Sequence, residues 1–500
     1  MKPSDQEYDI CLILEGTYPY VSGGVSSWVH ELITEQSHLT FCLVCLMPPN
    51  VEKAHKYTMP KNILYKVDIT LQQPFPGTKE RTKDKATNVF RDLKKPLQQL
   101  HSTSSSMSSL IDLIKIINNN ENQYSSDFLL NSKESWKLLI EMYNESYPNA
   151  SFINYFWSWR AIISSMFSIL LSELPKAKIY HSVCTGYAGL YLARAHVETK
   201  NPCLLTEHGI YTNERRIELA SAEWLDGEEA MSLNIESNPT KELRDFWMDA
   251  FYSYSKLSYD ASDKIITLYE GNHHLQIEDG ADKKKLMIIA NGIDYEKYSN
   301  IKKAKDHPPT VALIGRVVPI KDIKAYIMSI AILSKSIPNV KALMMGPTDE
   351  DPEYYAECND LVKAQNLKNN FTFTGKVDIC EYLPKIDIVV LSSLSEAQPL
   401  VLLECGASGT VAVTTDVGSC REIIEGRNDE HPAIGHAGIV CELSNPKALA
   451  NAMQKLFVNT NIYQNYSVNI MTRVEKYYNK IDQHKSYKKL YQSLINNGVK

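Results

Sequence analysis

The 500-residue sequence has no long uninterrupted apolar segment. A membrane-spanning helix needs about 18 or more consecutive apolar residues, and the nearest candidate, 152–174, is broken by Asn154, Arg160 and several serines. We interpret this segment as a core helix rather than a helix on a membrane surface. Residues 1–10 are polar and lack the basic-then-apolar pattern of an export signal. We therefore expect a cytoplasmic protein with reduced thiols.

A strong charge of either sign is also missing. Lys plus Arg number 53 and Asp plus Glu 59, which gives a formal net charge of −6. Nucleic-acid-binding domains usually carry a basic surface, so we expect no nucleic-acid partner. The ten cysteines lack paired metal-ligand spacing, because Cys42 and Cys45 lie in the apolar run 41–47 and no second pair follows. This run is predicted to be a buried strand rather than half of a zinc site.

The sequence does contain short apolar runs that alternate with helix-like segments. Residues 8–14 predict a strand, 15–27 a loop and 28–34 a helix, which is how a Rossmann-type domain begins. In the second half, β-branched runs alternate with helical segments, which predicts a doubly wound parallel sheet. The predicted strands are 178–181, 203–206, 264–268, 287–290, 310–314, 340–345, 370–373, 387–391 and 411–414, and the predicted later helices are 322–336, 353–366, 402–407 and 446–457.

These patterns predict an α/β protein of two domains with a boundary near residue 300. The N-terminal domain, 1–300, includes a helical insertion at 71–149 whose Ser-, Thr- and Asn-rich parts indicate flexibility. The polar segment 302–309 ends in two prolines and is the best linker candidate, and the C-terminal domain covers 301–474. The final segment, 475–500, is charged and helix-prone.

The strongest chemical signal is a pair of glutamates, Glu396 and Glu404, in the run EAQPLVLLE after the predicted strand 387–391. In an open α/β sheet, ligands bind at the carboxyl ends of the strands. Carboxylates placed there accept hydrogen bonds from sugar and ribose hydroxyls. Spacing alone does not distinguish this pair from two solvated helix glutamates.

A second signal is the run IGRVVPIK, in which Arg316 and Lys321 lie between a strand end and a helix start. A helix N-terminus with an arginine and a lysine suits a diphosphate. The alternative, which this run alone leaves open, is a basic surface loop.

Two weaker signals lie in the first half. Gly23 and Gly24, after Ser22, allow backbone amides to approach a ligand, although a simple glycine turn is the commoner explanation. His208, in the run TEHGIYTNER, and His181 each follow a predicted strand, where a histidine suits a cleft but is more often structural.

The acidic run Asp349–Asp351 resembles a D-x-D metal motif, but solvated acidic loops are common, and we expect no metal there. Cys405 and Cys420 lie near the same predicted cleft, and little beside them suggests an activated nucleophile.

Taken together and in this order, the motifs resemble the retaining glycosyltransferases of family four. The E-x7-E pattern matches Glu396 and Glu404, the arginine and lysine match Arg316 and Lys321, and the glycine-rich first loop matches Gly23–Gly24. The resemblance covers most of the chain outside the insertion. It implies the GT-B fold, in which two Rossmann-like domains present parallel sheets to each other across a cleft and the last helix crosses back to the N-terminal domain.

The resemblance also implies roles for single residues. Arg316 and Lys321 would hold the donor diphosphate, Glu396 would contact the donor sugar, and Glu404 would bind the ribose hydroxyls. His208 would lie near the donor sugar from the N-terminal side. Further donor-binding positions are Gly23, Gly24, Gly375, Lys376, Val377, Leu400 and Val401.

The segments 15–28, 206–215 and 346–354 are similar to family members of bacterial exopolysaccharide synthesis. This implies transfer of a hexose or N-acetylhexosamine from a UDP-sugar to a polysaccharide, with no cofactor, beside the proteins of an inner-membrane polysaccharide synthase complex. The sequence does not choose between UDP-glucose and a UDP-N-acetylhexosamine. Two other functions stay open, a nucleotide-sugar epimerase on the same fold and a non-catalytic assembly partner, although the intact glutamate, arginine and lysine pattern favours transfer.

The resemblance implies that cationic side chains carry the phosphate charge without a metal ion. We therefore predict that sugar transfer continues in excess EDTA. Release of the nucleoside diphosphate, measured with and without the chelator, tests this. Complete loss on chelation that is reversed by Mg²⁺ or Mn²⁺ would instead assign a metal to Asp349–Asp351.

Overall fold

The computed structural model describes residues 6–49, 54–80, 82–118, 124–220 and 242–498. The chain divides into two compact units. Unit 1 comprises Met1–Thr267, His273–Met287 and Lys488–Lys500, and unit 2 comprises Leu268–Asn272 and Ile288–Tyr487. Each unit contains one sheet whose core strands are parallel, so the prediction of two Rossmann-like units is confirmed.

Unit 1 contains a seven-stranded sheet in the order β3-β2-β1-β4-β5-β6-β7. The strands are β1 (Tyr8–Glu15), β2 (Phe41–Met47), β3 (Ile63–Thr70), β4 (Ala177–Ser182), β5 (Cys203–Glu207), β6 (Lys264–Thr267) and β7 (Leu286–Ile288). Strand β2 is buried along its whole length, and because successive side chains of a strand alternate, Cys42 and Cys45 point to opposite faces of the sheet. The sequence missed β3, an edge strand whose side chains are mostly half-buried and whose pattern is therefore weak.

Unit 2 contains a six-stranded sheet in the order β10-β9-β8-β11-β12-β13. The strands are β8 (Thr310–Ile314), β9 (Lys341–Met345), β10 (Phe371–Gly375), β11 (Ile388–Leu391), β12 (Val411–Thr415) and β13 (Gly438–Cys441). The first five lie at the predicted positions because each is a short β-branched or apolar run. Strands β8, β11 and β12 are almost wholly buried, whereas the edge strand β10 is mostly half-buried. The last, a four-residue edge strand, was not predicted.

The helices of the first 280 residues are α1 (Gly24–Glu35), α2 (Lys83–Leu100), α3 (Met107–Ile117), α4 (Ser126–Asn131), α5 (Lys133–Ser146), α6 (Phe152–Leu170), α7 (Tyr187–Thr199), α8 (Tyr211–Ala220), α9 (Leu243–Ala261) and α10 (Asn272–Glu278). Those that follow are α11 (Tyr295–Ser299), α12 (Ile323–Leu333), α13 (Pro352–Ala364), α14 (Ile379–Tyr382), α15 (Leu400–Ala407), α16 (Cys420–Glu425), α17 (Pro446–Val458), α18 (Thr460–Tyr477) and α19 (Lys480–Gly498).

The predicted insertion, 71–149, is helical. Its serines have a structural role, because the side chains of Ser106, Ser125 and Ser132 accept backbone N–H groups at the starts of α3, α4 and α5. Residues 81 and 119–123 of this segment, including most of the predicted flexible run at 118–122, lie outside the described residues. Helix α6 packs into the core, and no described helix has both the length and the apolarity needed to cross a bilayer.

The structure divides the chain at other positions than the sequence suggested. The boundary between the main segments of the two units lies between Met287 and Ile288. Segment 302–309, which was predicted to be a linker, lies inside unit 2. There Lys303 Nζ donates to the carbonyls of Leu383 and Ile386 at 2.9 and 3.0 Å, which packs this polar segment against the unit. Tyr491 of α19 belongs to unit 1, where its hydroxyl lies 2.7 Å from Nδ1 of His181.

A buried ion pair stabilises unit 2. The guanidinium of Arg473 on α18 contacts both carboxylate oxygens of Glu430 at 3.0 and 3.1 Å, and the two side chains are 0% and 3% exposed. The same guanidinium donates to the carbonyls of Ile423 and Ile424 at the end of α16. The pair therefore joins α16, α18 and the loop between α16 and β13.

Arg473→Met should lower the free energy of unfolding of unit 2 by about 3–5 kcal/mol, because it leaves the Glu430 carboxylate buried without a counter-charge. Urea denaturation followed by circular dichroism measures this. All six tryptophans precede residue 250, in unit 1, so tryptophan fluorescence reports the other unit separately.

The matched control is Arg421→Met, which removes a cation that is 53% exposed and pairs with Asp416. This change should cost less than about 1 kcal/mol. Equal losses in the two variants would show that burial of the Arg473 pair is not what stabilises the unit.

Candidate functional site

The strand order of unit 2 places the predicted motifs at one point of its sheet. Strands β8 and β11 are neighbours, and from β8 the chain first runs outward to β9 and β10 before it returns to β11. Such a reversal opens a crevice at the carboxyl ends of the two central strands, where ligands bind in open α/β sheets. Arg316 and Lys321 follow β8, and Glu396 follows β11.

Lys321 and Glu396 are joined directly across this crevice. The ammonium of Lys321 donates to Oε1 of Glu396, and Ser393 Oγ donates to the same oxygen at 2.6 Å. The side chains of Lys321 and Glu396 are only 19% and 14% exposed. Because a buried charge is costly without a counter-charge, their pairing compensates for this burial. A further hydrogen bond joins the same two loops: Ser392 Oγ donates to the backbone carbonyl of Lys321 at 2.8 Å.

A glycine beyond β12 sets the position of the Glu396 loop. Gly418 has a φ of +55°, and a Cβ there would lie 2.2 Å from the carbonyl oxygen of Ala397 and 2.3 Å from that of Glu396. Ser419 N donates to the Ala397 carbonyl at 2.8 Å. Only glycine permits this close approach. The segment around Gly418 therefore packs directly against the backbone of Glu396 and Ala397 and restrains it.

Arg316 has a different partner. Its guanidinium donates to the carboxylate of Glu350 in the β9–α13 loop, and the two side chains are 55% and 45% exposed. In that loop Asp351 caps α13 by accepting the N–H of Tyr354 at 3.0 Å. Two members of the acidic run Asp349–Asp351 therefore already have partners in the protein.

The start of α12 differs from the open helix N-terminus that the sequence argument for the diphosphate assumed. Helix α12 begins at Ile323, after a short 3-10 turn, and Asp322 occupies its N-cap, where its carboxylate accepts the N–H of Ala325 at 3.2 Å. A carboxylate already fills the position of an anion at this helix end and would repel a phosphate. Arg316 and Lys321 lie near the crevice, but this helix N-terminus is not free for a ligand.

Glu404 lies one turn inside α15, with its carboxylate largely covered. The hydroxyl of Tyr298 donates to its Oε1 at 3.0 Å, and burial raises the pKa of Glu404. Sequence reasoning also missed Gln398, which follows Glu396 in the same loop and whose amide exchanges two hydrogen bonds with the backbone of Asn291 at 2.8 and 3.2 Å. Tyr298 and Asn291 both come from the segment before β8, which has no motif of its own.

The remaining predicted donor-binding positions of unit 2 lie at the end of strand β10 and at the start of helix α15. Gly375 ends β10 with a φ of +68°, which favours glycine, and Lys376 and Val377 follow it. Leu400 and Val401 form the first turn of α15, and no described side chain caps this turn.

The cysteines near this edge are poor nucleophiles. Cys405 and Cys420 are buried, and burial raises the pKa of both thiols. No three metal-binding side chains converge among the residues that the structure describes.

Unit 1 has a reversal of its own between β1 and β4, which are neighbours in its sheet. Gly23 precedes α1 and Gly24 is its first residue, so this helix starts earlier than predicted. A Cβ at either glycine would have no atom within 4 Å, so packing within the described chain does not require glycine there.

A carboxylate fixes the start of α7 beside this reversal. Glu15 accepts the N–H of Ala188 at 3.0 Å and the hydroxyl of Tyr211 at 2.9 Å. A Cβ on Gly186 would lie 2.3 Å from the Tyr211 ring, so the glycine allows this ring to pack against the helix start. These contacts make one wall of a pocket.

The pocket lies within unit 1 and has a volume of about 680 Å³. His208 and Arg215 line it, and His208 Nε2 and Arg215 Nε are buried without a hydrogen-bond partner among the described residues. Burial lowers the pKa of His208 to about 4, so its ring is neutral near pH 7. Four aromatic side chains and three carboxylates also line the pocket: Tyr187, Tyr211, Trp247, Phe251, Glu15, Glu214 and Glu218.

The structure therefore brings Arg316, Lys321 and Glu396 to adjacent strand ends of unit 2. It places Gly23, Gly24 and His208 in unit 1.

Residues 8–284 match the family described as a domain of unknown function, DUF3492. The chain belongs to this family. Residues 294–473 match the glycosyl transferases group 1 model, so the chain joins the DUF3492 segment to a group 1 glycosyltransferase domain.

Similar proteins include an uncharacterised glycosyltransferase of Methanocaldococcus jannaschii, 24% identical over 48% of this chain and 61% of that protein. Another is N,N'-diacetylbacillosaminyl-diphospho-undecaprenol alpha-1,3-N-acetylgalactosaminyltransferase of Campylobacter jejuni, 26% identical over 49% of this chain and 64% of the relative. The chain thus spans about three-fifths of the length of these relatives.

Solved structures with the same fold include Anabaena Alr3699/HepE in complex with UDP, with a TM-score of 0.57 at 12% identity, covering 97% of this chain and 100% of that one. Sucrose-phosphate synthase from Thermosynechococcus elongatus has a TM-score of 0.57 at 16% identity, covering 98% and 100%. The fold is GT-B, as predicted.

The neighbour of His208 in the chain, Glu207, is a buried carboxyl that accepts Tyr259 Oη and Gln276 Nε2, each at 2.8 Å. Burial raises the pKa of Glu207 to about 7. A raised carboxyl pKa contributes stability that is fully present below about pH 4.5 and is lost as the pH rises towards 7.

Glu207→Gln should therefore gain stability relative to the wild type between pH 5 and pH 7, by about 2 kcal/mol. Urea denaturation of unit 1, followed by tryptophan fluorescence at both pH values, measures the difference. A stability difference between variant and wild type that is the same at pH 5 and pH 7 would contradict the assignment.

Proposed function

We propose that this chain is a retaining glycosyltransferase that moves a hexose or an N-acetylhexosamine from a UDP-sugar to a growing polysaccharide. The observation that carries the proposal is the convergence of Arg316, Lys321 and Glu396 at the reversal between β8 and β11. This is the point of a doubly wound sheet where nucleotides bind.

In this proposal the cations of unit 2 stabilise the charge that develops on the leaving diphosphate. Arg316 offers a planar fork to two phosphate oxygens, and Lys321 adds a compact positive charge. Because these groups supply the charge that a metal ion supplies elsewhere, the reaction needs no metal. The uncapped first turn of α15, with the amides of Leu400 and Val401, offers further donors to a phosphate.

Glu396 and Glu404 bind hydroxyl groups. The Glu396 carboxylate is held by Lys321 and Ser393, which suits it to accept hydrogen bonds from a donor sugar rather than to attack it. Glu404, positioned by Tyr298, accepts the ribose hydroxyls. The base lies beside Gly375, Lys376 and Val377.

The pocket of unit 1 is the proposed acceptor site. Aromatic rings stack on the apolar faces of pyranose rings, and the buried nitrogens of His208 and Arg215 offer polar contacts to hydroxyl groups. His208, which is neutral near pH 7, exchanges hydrogen bonds without adding charge to the site. The open space at Gly23 and Gly24 allows a ligand to approach that backbone closely.

A narrower proposal concerns the pathway. The runs EGTYPYVSGGVSSW and TEHGIYTNER are similar to PelF, the cytoplasmic glycosyltransferase of Pel exopolysaccharide synthesis. On this basis the acceptor is a Pel-type polysaccharide, and the protein works in the cytoplasm, docked on the proteins of an inner-membrane synthase complex. UDP-glucose and UDP-N-acetylhexosamines are the donors to test first.

Substitutions of the two cations test the proposed function. Arg316→Ala and Lys321→Ala should each lose most of the turnover, because a charge-assisted phosphate contact is worth on the order of 2–4 kcal/mol in the transition state. The measurement is UDP released from each candidate donor. Mass spectrometry of the products separates transfer from epimerisation, which needs no acceptor.

Lys324→Ala is the matched control, because this exposed lysine of α12 pairs with Glu357 instead of with a motif residue. It should keep wild-type turnover. Near-native turnover of folded Arg316→Ala and Lys321→Ala would reject the diphosphate site.

A further inference from the structure

Each cation of the proposed diphosphate site is paired with a carboxylate, but the two pairs differ in exposure. Lys321 and Glu396 are 19% and 14% exposed, whereas Arg316 and Glu350 are 55% and 45% exposed. An exposed pair of this kind contributes little to stability and is easily exchanged for another partner. Glu350 also lies outside the E-x7-E motif, so the proposed reaction has so far assigned it no role.

The backbone keeps Glu350 near Arg316. Beyond the ends of β8 and β9, Gly315 N donates to the Met345 carbonyl at 2.9 Å and Val317 N donates to the Pro347 carbonyl at 3.0 Å. A Cβ on Gly346, whose φ is +155°, would lie 1.8 Å from the Gly315 carbonyl oxygen. The two loops are thus joined along their length, and Asp351 anchors the chain just after Glu350 by capping α13.

The product carries more negative charge than the donor. The terminal phosphate of a free nucleoside diphosphate has a second ionisation with a pKa of about 6, which is absent when the phosphate is esterified to a sugar. Near pH 7 the product therefore has about one negative charge more. A carboxylate a few ångströms away repels the product more strongly than the donor, since the Coulomb energy scales with the charge of the ligand.

Given the proposed function, on which this inference rests, we propose that Glu350 is a displaceable counter-ion of Arg316 that discriminates between donor and product. The incoming diphosphate takes over the guanidinium of Arg316. The displaced carboxylate stays near the phosphates, weakens the binding of the nucleoside diphosphate more than that of its sugar ester, and so favours product release.

Equilibrium titration of the full chain with UDP and with UDP-glucose tests this assignment. Glu350→Gln keeps the size of the side chain and removes its charge. We expect it to lower the dissociation constant of UDP by roughly two- to fivefold, the range of an exposed charge pair, and that of UDP-glucose by a smaller factor. UDP should also become a stronger inhibitor of turnover relative to the donor KM.

Asp349→Asn is the matched control, because it removes the same charge from an exposed neighbour in the same loop. It should leave both dissociation constants unchanged. Equal strengthening of UDP and UDP-glucose by Glu350→Gln, no change in either, or the same effect from Asp349→Asn would overturn the role of Glu350 alone. Absence of UDP binding to the wild-type chain would overturn the proposed donor site and this inference together.

Discussion

The ion pair between Lys321 and Glu396 joins the loops after β8 and β11, and the rest of the proposed donor site is arranged around it. The two side chains come from opposite sides of the chain reversal, so the pair forms only when these strands are neighbours. Gly418 behind one loop and the hydroxyl of Ser392 between the loops fix the backbone at the same point. Because either charge would be costly to bury alone, the two side chains stabilise each other where they lie. The same contact therefore stabilises the local fold and positions Lys321 in the proposed diphosphate site.

The acidic groups of unit 2 serve different purposes according to their burial. Asp322 and Asp351 cap helices by accepting backbone N–H groups, and their negative charge would repel a phosphate. Glu404 is largely covered and is held by Tyr298, which suits a fixed hydroxyl acceptor. Glu350 is open to solvent and pairs with an equally open arginine, which suits a group that changes partners.

In unit 1, burial shifts two neighbouring groups towards their neutral forms. It lowers the pKa of His208 to about 4 and raises that of Glu207 to about 7. Charged side chains also line the pocket, namely Glu15, Glu214, Arg215 and Glu218. Glu15 accepts the N–H at a helix start and a tyrosine hydroxyl. Aromatic walls with a few polar groups are typical of small-molecule sites.

The sequence by itself determined the two Rossmann-like units, most central strands, and the placement of Arg316, Lys321, Glu396 and His208 just after strands. These features are local, because a short β-branched run predicts a buried strand and ligand-binding side chains follow strand ends. Only the tertiary structure decided that β8 lies beside β11, that Asp322 closes the start of α12, and that Tyr298 and Glu350 join the site. Strand order, capping geometry and pairing between distant loops depend on contacts far apart in the chain, which no local pattern encodes.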